Sequence, residues 1–154
     1  MMLARVCELH GLPAQFVVIG SDVSTRVLKV AVAAKYPSAE LEDVPSEYRH
    51  HLMKSRDPSR KLMRVVPALR QKAGFVQLNL MAKRYDVDGV ADVVFLRNAL
   101  IYFERERQHR IAAQIAQNLR PGGLFAVGLT ETLHGAGSGL RPVGSSLYLR
   151  EESR

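Results

Sequence analysis

Short apolar segments alternate with amphipathic segments along this chain. The segments 16–20, 75–78, 93–96 and 124–128 are rich in Val, Phe and Leu and are predicted to be strands. The segments 16–20 and 93–96 are typical of strands buried on both faces of a parallel sheet. A long segment over 104–119 has apolar residues at helical spacing and precedes a Pro-Gly-Gly turn. The pattern therefore predicts an α/β fold built on a mostly parallel sheet.

Further patterns complete the predicted elements. Apolar residues at helical spacing near the start of the chain predict a first helix that ends at Gly11-Leu12-Pro13. The helix predicted over about 26–35 has a capping hydroxyl available from Ser24 or Thr25. Near the end of the chain, 140–143 and 147–149 are typical of the two arms of an antiparallel pair.

Residues 36–72 interrupt the alternation of strands and helices. This segment is polar and contains prolines, with a short helix around 46–53 and an exposed strand over 61–65 as its expected elements. The chain carries 22 Lys and Arg against 15 Asp and Glu, a net charge of +7. The part 44–72 holds eight basic and two acidic residues, a surplus of six. We therefore expect a small inserted basic subdomain, which is either a solvated face or a docking surface for an acidic partner.

Polar side chains follow the ends of three predicted strands, at the edge of an α/β sheet where ligands bind. Asp22 could accept hydrogen bonds from ribose hydroxyls, although a lone Asp between a strand and a helix is more often a cap. The Asn79 amide can both donate and accept, as an adenine edge requires, or it is a simple loop residue. Arg97 and Asn98 can donate to a carboxylate or nucleotide, and Tyr102 adds a ring and a hydroxyl.

Several other classes of protein are disfavoured. Cys7 is the only cysteine, so an internal disulfide framework is excluded and a reducing compartment, the cytoplasm, is expected. No segment approaches the roughly 20 apolar residues that span a membrane, so membrane insertion is not expected. His50 and His51 are adjacent and would point in different directions on a helix, so no metal site is predicted. The chain lacks an aromatic platform or recognition helix, which disfavours nucleic-acid binding.

The order of these segments resembles S-adenosylmethionine-dependent methyltransferases, and more specifically the CheR-type chemoreceptor glutamate methyltransferases. The resemblance covers about 16–150, close to the whole chain. The segments that carry it are GSDVSTRVL at 20–28, QLNL at 77–80, FLRNALIYF at 95–103, LRPGGLFAVG at 119–128 and SLYL at 146–149. The Arg-Asn-x-x-Ile-Tyr-Phe element is the most specific of them, because it combines polar, apolar and aromatic residues at fixed places.

The resemblance implies a Rossmann-like class I methyltransferase sheet that binds S-adenosylmethionine. Position by position, Asp22 would hold the ribose, and Asn79 with Leu80 would contact the adenine side. Arg97 and Asn98 would lie beside the methionine part of the cofactor.

The implied activity is protein-glutamate O-methyltransfer, with Arg97 and Tyr102 as the catalytic residues. Tyr102 would face the methyl group and the incoming carboxylate. The implied partner is the acidic helical bundle of a chemoreceptor's cytoplasmic domain. The basic segment at about 36–72 stands where the family has an inserted β-subdomain, which in some members docks on the receptor.

The chain also departs from the family pattern. It opens in the helix that follows the family's first strand, its glycine-containing cofactor loop and its N-terminal helical domain. Residues 129–132 are Leu-Thr-Glu-Thr where the family tends to have His-Ser-Glu-Asn. We therefore expect 1–154 to be a partial, N-terminally truncated methyltransferase domain with two unpaired strand edges, which alone binds S-adenosylmethionine weakly or not at all. The alternative is a non-catalytic remnant that docks on receptors through its basic insertion.

Overall fold

The computed structural model describes residues 1–87, 89–133 and 139–151. The helices in these ranges are α1 (Met2–Leu9), α2 (Thr25–Ala33), α3 (Pro67–Arg70) and α4 (Arg105–Asn118). The strands are β1 (Val18–Asp22), β2 (Lys35–Pro37), β3 (Leu52–Lys54), β4 (Leu62–Val65), β5 (Ala73–Gln77), β6 (Ala91–Leu96), β7 (Leu119–Val127), β8 (Leu140–Gly144) and β9 (Leu147–Arg150). Short 3-10 helices span Ser38–Leu41, Ser46–His51, Pro58–Arg60 and Leu100–Tyr102. The chain divides into a first unit, Met1–Asn79, and a second unit, Leu80–Arg154.

The first unit contains a parallel strand pair, β1 and β5, in which Val18 is opposite Ala73 and Asp22 is opposite Gln77. Helix α2 follows β1 and packs on both strands. It begins after Ser24, whose hydroxyl oxygen accepts a hydrogen bond from the Val27 N–H at 3.4 Å, as the sequence predicted for a capping residue.

The segment between α2 and α3 forms its own antiparallel sheet, in the order β2-β4-β3. The central strand β4 carries Met63, which is 3% exposed. The Arg64 side chain donates to the Ala33 carbonyl at 2.9 Å, and the Val65 N–H donates to the Ala34 carbonyl. The sheet is therefore fastened to the end of α2.

The second unit is a four-stranded sheet in the order β6-β7-β9-β8. Strands β6 and β7 are parallel, and β7–β9 and β9–β8 are antiparallel, so the predicted closing pair is confirmed. Helix α4 packs on β7. The largest fully buried side chains of the chain's described part all lie in this unit: Leu100, Ile111, Leu119 and Phe125.

The Pro-Gly-Gly turn interrupts the pairing of β6 with β7. Ala91 is opposite Leu119 but Val93 is opposite Leu124, so residues 120–123 are looped out. A Cβ on Gly123 would lie 2.8 Å from the Arg120 carbonyl oxygen, so the turn needs glycine there.

The sequence predicted strands buried on both faces, and for β1 and β6 this is wrong. Val18 and Ile19 are 45% and 52% exposed, and Val93 and Phe95 are 43% and 73% exposed. In the described part of the chain each of these strands has a strand neighbour on one side only, and helical cover is incomplete.

Candidate active site

The first unit brings the predicted residues Asp22 and Asn79 to the same edge of a parallel strand pair. Asp22 is the last residue of β1, and Gln77, its partner in register, is the last residue of β5. The Leu78 N–H donates to the Asp22 carbonyl at 3.1 Å, and Asn79 follows directly. Because both strands end at this edge, the two side-chain positions are neighbours in the fold.

Asp22 also organises the turn into α2. Its Oδ1 accepts a hydrogen bond from the Ser24 N–H at 2.7 Å. The Gln77 side-chain amide donates to the Val23 carbonyl at 2.9 Å, which holds this turn against the end of β5. The capping and ligand-binding interpretations of Asp22 are thus compatible, since one carboxylate oxygen serves the turn.

The chemistry of this edge fits the ribose end of a nucleoside. Among the described residues, Asp22 Oδ2 has no hydrogen-bond donor, so it can accept from a hydroxyl. Asn79 is exposed, and its amide carries both a donor and an acceptor.

The second unit holds the other predicted residues on the loop that follows β6. Asn98 has φ +56°, a left-handed conformation that Asn tolerates better than most residues. The chain then turns through the 3-10 helix Leu100–Tyr102, in which Leu100 is 1% exposed. Tyr102 at its end is 81% exposed, and Arg97 is also at the surface. The loop therefore buries an apolar anchor and presents its polar residues.

A buried carboxylate, Glu131, fixes this loop. Glu131 is 4% exposed. Its Oε2 accepts hydrogen bonds from the Gly128 N–H at 2.6 Å and the Asn98 N–H at 2.9 Å. Its Oε1 accepts from the Ile101 N–H at 3.2 Å. One side chain thus ties the end of β7 to both ends of the loop that carries Arg97 and Tyr102. We call Glu131 and these three N–H groups the carboxylate clamp.

Two neighbouring residues complete the support of the loop. The Gln108 side chain on α4 donates to the carbonyls of Leu100 at 3.0 Å and Phe103 at 2.8 Å. At Gly128, a Cβ would lie 2.5 Å from Glu131 Oε2 and 2.8 Å from Asn98 Oδ1, so only glycine leaves room for the clamp.

Sequence reasoning missed the roles of Glu131 and Gly128. In the sequence, Glu131 lies just after the strand predicted over 124–128, in a segment that departs from the family pattern. The usable signal was its place just after β7, because β7 is parallel to β6 and both end at the same edge. The structure brings Asp22 and Asn79 together in the first unit, and Arg97, Asn98 and Tyr102 together in the second. That the two sets share one crevice stays a prediction.

The expectation that the side chains of His50 and His51 point in different directions is wrong. The rings of His50 and His51 have centroids 3.8 Å apart. Both residues end the 3-10 helix Ser46–His51, and the backbone becomes extended at Leu52. The angular separation of neighbours on a regular helix does not apply at such a junction.

Among the described residues, no helix has the length and apolar character that crossing a bilayer requires.

The family model for the SAM-binding domain of CheR methyltransferases matches residues 1–148. The chain is 34% identical over 132 residues to chemotaxis protein methyltransferase 2 of Pseudomonas aeruginosa, covering 85% of this chain and 47% of that protein. It is 35% identical over 120 residues to the chemotaxis protein methyltransferase of Escherichia coli, covering 77% of this chain and 42% of that protein. The chemotaxis protein methyltransferase of Listeria monocytogenes is 28% identical over 149 residues, covering 96% of this chain and 55% of that protein.

Parallel strands with polar residues at their carboxyl ends, as found in each unit, are typical of α/β proteins that bind nucleotide-type cofactors. The chain belongs to the CheR methyltransferase family, in its SAM-binding domain. It spans about half the length of the curated relatives that it matches.

Proposed function

We propose that this chain forms part of a methyltransferase that uses S-adenosylmethionine to methylate glutamate side chains of chemotaxis receptors in the cytoplasm. The observation that carries the proposal is the family match over 1–148 together with the carboxylate clamp, which supports the loop bearing Arg97 and Tyr102.

The proposed reaction is an in-line displacement. A glutamate carboxylate oxygen forms a bond to the methyl carbon while the bond from that carbon to the sulfonium sulfur breaks, giving a methyl ester and a neutral thioether. No proton moves, because the attacking carboxylate is already ionised near neutral pH. The protein's task is to align two reactants and exclude water, and alignment of that kind can contribute several kcal/mol.

Each site residue has a proposed role in that alignment. Asp22 accepts hydrogen bonds from the ribose hydroxyls, and Asn79 with Leu80 contacts the adenine side. Arg97 and Asn98 lie beside the carboxylate end of the cofactor's methionine part.

Tyr102 is proposed to orient the incoming glutamate carboxylate. A phenol hydroxyl can donate a hydrogen bond without titrating at neutral pH. Its 81% exposure suits contact with a macromolecular substrate.

Methyl transfer from tritiated S-adenosylmethionine to receptor cytoplasmic fragments tests the activity. The chain would be assayed alone and fused behind the part of the Escherichia coli relative that precedes the matched region. We expect esterification by the fusion, a fall of about 100-fold in Arg97→Ala and about tenfold in Tyr102→Phe.

Arg107→Ala is the matched control, since Arg107 is an exposed arginine on α4. It should keep the activity of the unchanged fusion. A folded fusion with no transfer, or equal losses in Arg97→Ala and Arg107→Ala, would contradict the proposed role of the site.

A second candidate function is receptor docking without catalysis, through the sheet β2-β4-β3 and its loops. Two arginines of this segment serve the fold: Arg49 donates to the Val44 carbonyl at 2.8 Å, and Arg64 donates to that of Ala33. Arg56, Arg60 and Lys61 are exposed near the 3-10 helix Pro58–Arg60.

A pull-down with receptor cytoplasmic fragments tests this docking surface. Replacing Arg56, Arg60 and Lys61 by glutamine should weaken a binding that falls as salt rises. A triple variant of three exposed basic residues elsewhere, Arg84, Arg107 and Arg110, is the matched control. Equal retention by both triple variants would refute docking through the insertion, whereas docking without turnover in the fusion favours the non-catalytic function.

A further inference from the structure

Three side chains with metal-ligating atoms meet in the first unit, away from the strand ends that bear Asp22 and Asn79. Glu8 lies in the last turn of α1, and His50 and His51 end the 3-10 helix Ser46–His51. One ligand atom from each of the three residues lies within 4.8 Å of the others. Two segments that are about 40 residues apart in sequence thus contribute to one cluster.

The donor set and its spacing suit a transition-metal ion. Two imidazole nitrogens and a carboxylate oxygen are ligands that zinc takes in sites with an open fourth position. Ligand atoms in a tetrahedral zinc site lie about 3.4 Å apart, given bonds of about 2.1 Å. His50 Nε2 is 3.9 Å from Glu8 Oε1. Only small side-chain adjustments would therefore bring these two atoms to coordinating distance.

An independent observation concerns His51. His51 is only 7% exposed, yet its Nε2 has no hydrogen-bond partner in the described part of the chain. Buried polar atoms are nearly always paired, and an unpaired one costs about 1–3 kcal/mol. An ion pair between His50 and Glu8 would account for those two residues but would leave the buried His51 nitrogen without a partner. A metal ion shared by all three residues would provide one.

We propose that Glu8, His50 and His51 form a binding site for a divalent transition-metal ion, with Zn²⁺ as the best match. Nitrogen donors favour zinc over magnesium and calcium, which prefer all-oxygen sites. The bound ion would cross-link α1 to the segment that precedes β3. The proposal does not depend on the methyltransferase function.

Calorimetric titration of the untagged full chain with ZnCl2 tests the site, with Co²⁺ absorption spectra as a second readout of nitrogen and oxygen coordination. We expect saturable one-to-one binding that excess Mg²⁺ does not displace. Glu8→Gln and His50→Ala should each weaken it at least about tenfold. Their side chains are 47% and 53% exposed, so these variants should fold. His51→Ala should also weaken binding, with circular dichroism to verify its fold.

Two control variants distinguish zinc binding at this site from zinc binding by other side chains of the chain. His109→Ala changes a histidine outside the cluster and should bind as the unchanged chain does. Cys7→Ser removes the thiol next to Glu8 and should also retain binding. Absence of saturable binding, or binding that survives Glu8→Gln and His50→Ala but is lost in Cys7→Ser, would overturn the proposal.

Discussion

At the scale of single residues, the buried carboxylate of Glu131 supports the loop after β6 in the second unit. Its two carboxylate oxygens accept hydrogen bonds from the N–H groups of Asn98, Ile101 and Gly128. These donors would otherwise be partly or wholly buried without partners. A charged acceptor forms stronger hydrogen bonds than a neutral one, so the clamp compensates for burying the carboxylate.

We predict that Glu131→Ala lowers the free energy of unfolding by about 2–4 kcal/mol, because it leaves three N–H groups unsatisfied. Glu131→Gln should lower the free energy of unfolding by a smaller amount. One acceptor oxygen remains in glutamine, although its NH2 group would face a backbone N–H group. Urea denaturation measures both losses. Glu106→Gln, on an exposed side chain of α4, is the control and should change stability little. A loss in Glu131→Ala no greater than in this control would refute the clamp.

Tyr85 provides a prediction about pH. Burial raises the pKa of Tyr85 to about 12, and its hydroxyl donates to the Leu80 carbonyl at 2.8 Å. The unfolded phenol ionises near a pKa of about 10. Because the pKa of Tyr85 is higher in the folded chain than in the unfolded chain, ionisation favours the unfolded chain. The stability that the protonated, buried phenol contributes is therefore intact below pH 10 and is lost between about pH 10 and 12.

We therefore predict that the unchanged chain loses about 1–3 kcal/mol more unfolding free energy across that interval than Tyr85→Phe does. Denaturation at a series of pH values measures the difference. Tyr102→Phe, which alters an exposed tyrosine, is the control for loss of a phenol hydroxyl. Identical profiles for the chain and Tyr85→Phe would contradict the assigned cause.

At the scale of elements, the end of β7 contacts the loop after β6 because the backbone at Gly128 comes very close to Asn98 and Glu131. Unusual backbone angles are not needed there. Gly128 lies just beyond β7, where a Cβ would be 3.1 Å from the Asn98 nitrogen, in addition to its contacts with the Glu131 and Asn98 oxygens. The ends of two parallel strands can therefore share one carboxylate only if this position has no side chain.

Gly128→Ala should destabilise the chain by about 1–3 kcal/mol through this overpacking. Gly144→Ala is the matched control, because the nearest atom to its Cβ, Leu147 Cβ, is 3.5 Å away. That change should be neutral within about 0.5 kcal/mol. Thermal denaturation compares the two variants. Equal stability for both would show that the strand end can relax.

At the scale of the whole molecule, the main feature is the exposure of strands β1 and β6. Each has one strand partner in the described part of the chain, and each presents exposed apolar residues. Exposed strand edges with apolar side chains are sites of self-association.

We predict that the chain alone binds S-adenosylmethionine weakly or not at all, and that the fusion with the upstream part of the Escherichia coli relative binds it. Calorimetric titration measures both. Asp22→Asn in the fusion should weaken binding at least about tenfold by removing a charged acceptor for the ribose hydroxyls. The control Asp92→Asn changes an exposed aspartate of β6 and should bind as the fusion does. Tight binding by the chain alone would refute this prediction.

Local pattern determined much of this protein. The apolar segments gave the positions of the strands, helical spacing gave α4, and Ser24 marked the start of α2. Asp22 ends β1, and Asn79 and Arg97-Asn98 come after β5 and β6, close to the strand ends where they were expected, since a strand's end is encoded in the few residues around it.

Only the tertiary structure decided which residues far apart in sequence support one another. Glu131 is 33 residues from Asn98, and Glu8 is more than 40 from His50 and His51, so neither cluster has a signature in a local window. The burial of β1 and β6 was likewise mispredicted, because apolar composition records what a strand can bury, whereas its exposure depends on which neighbours cover it.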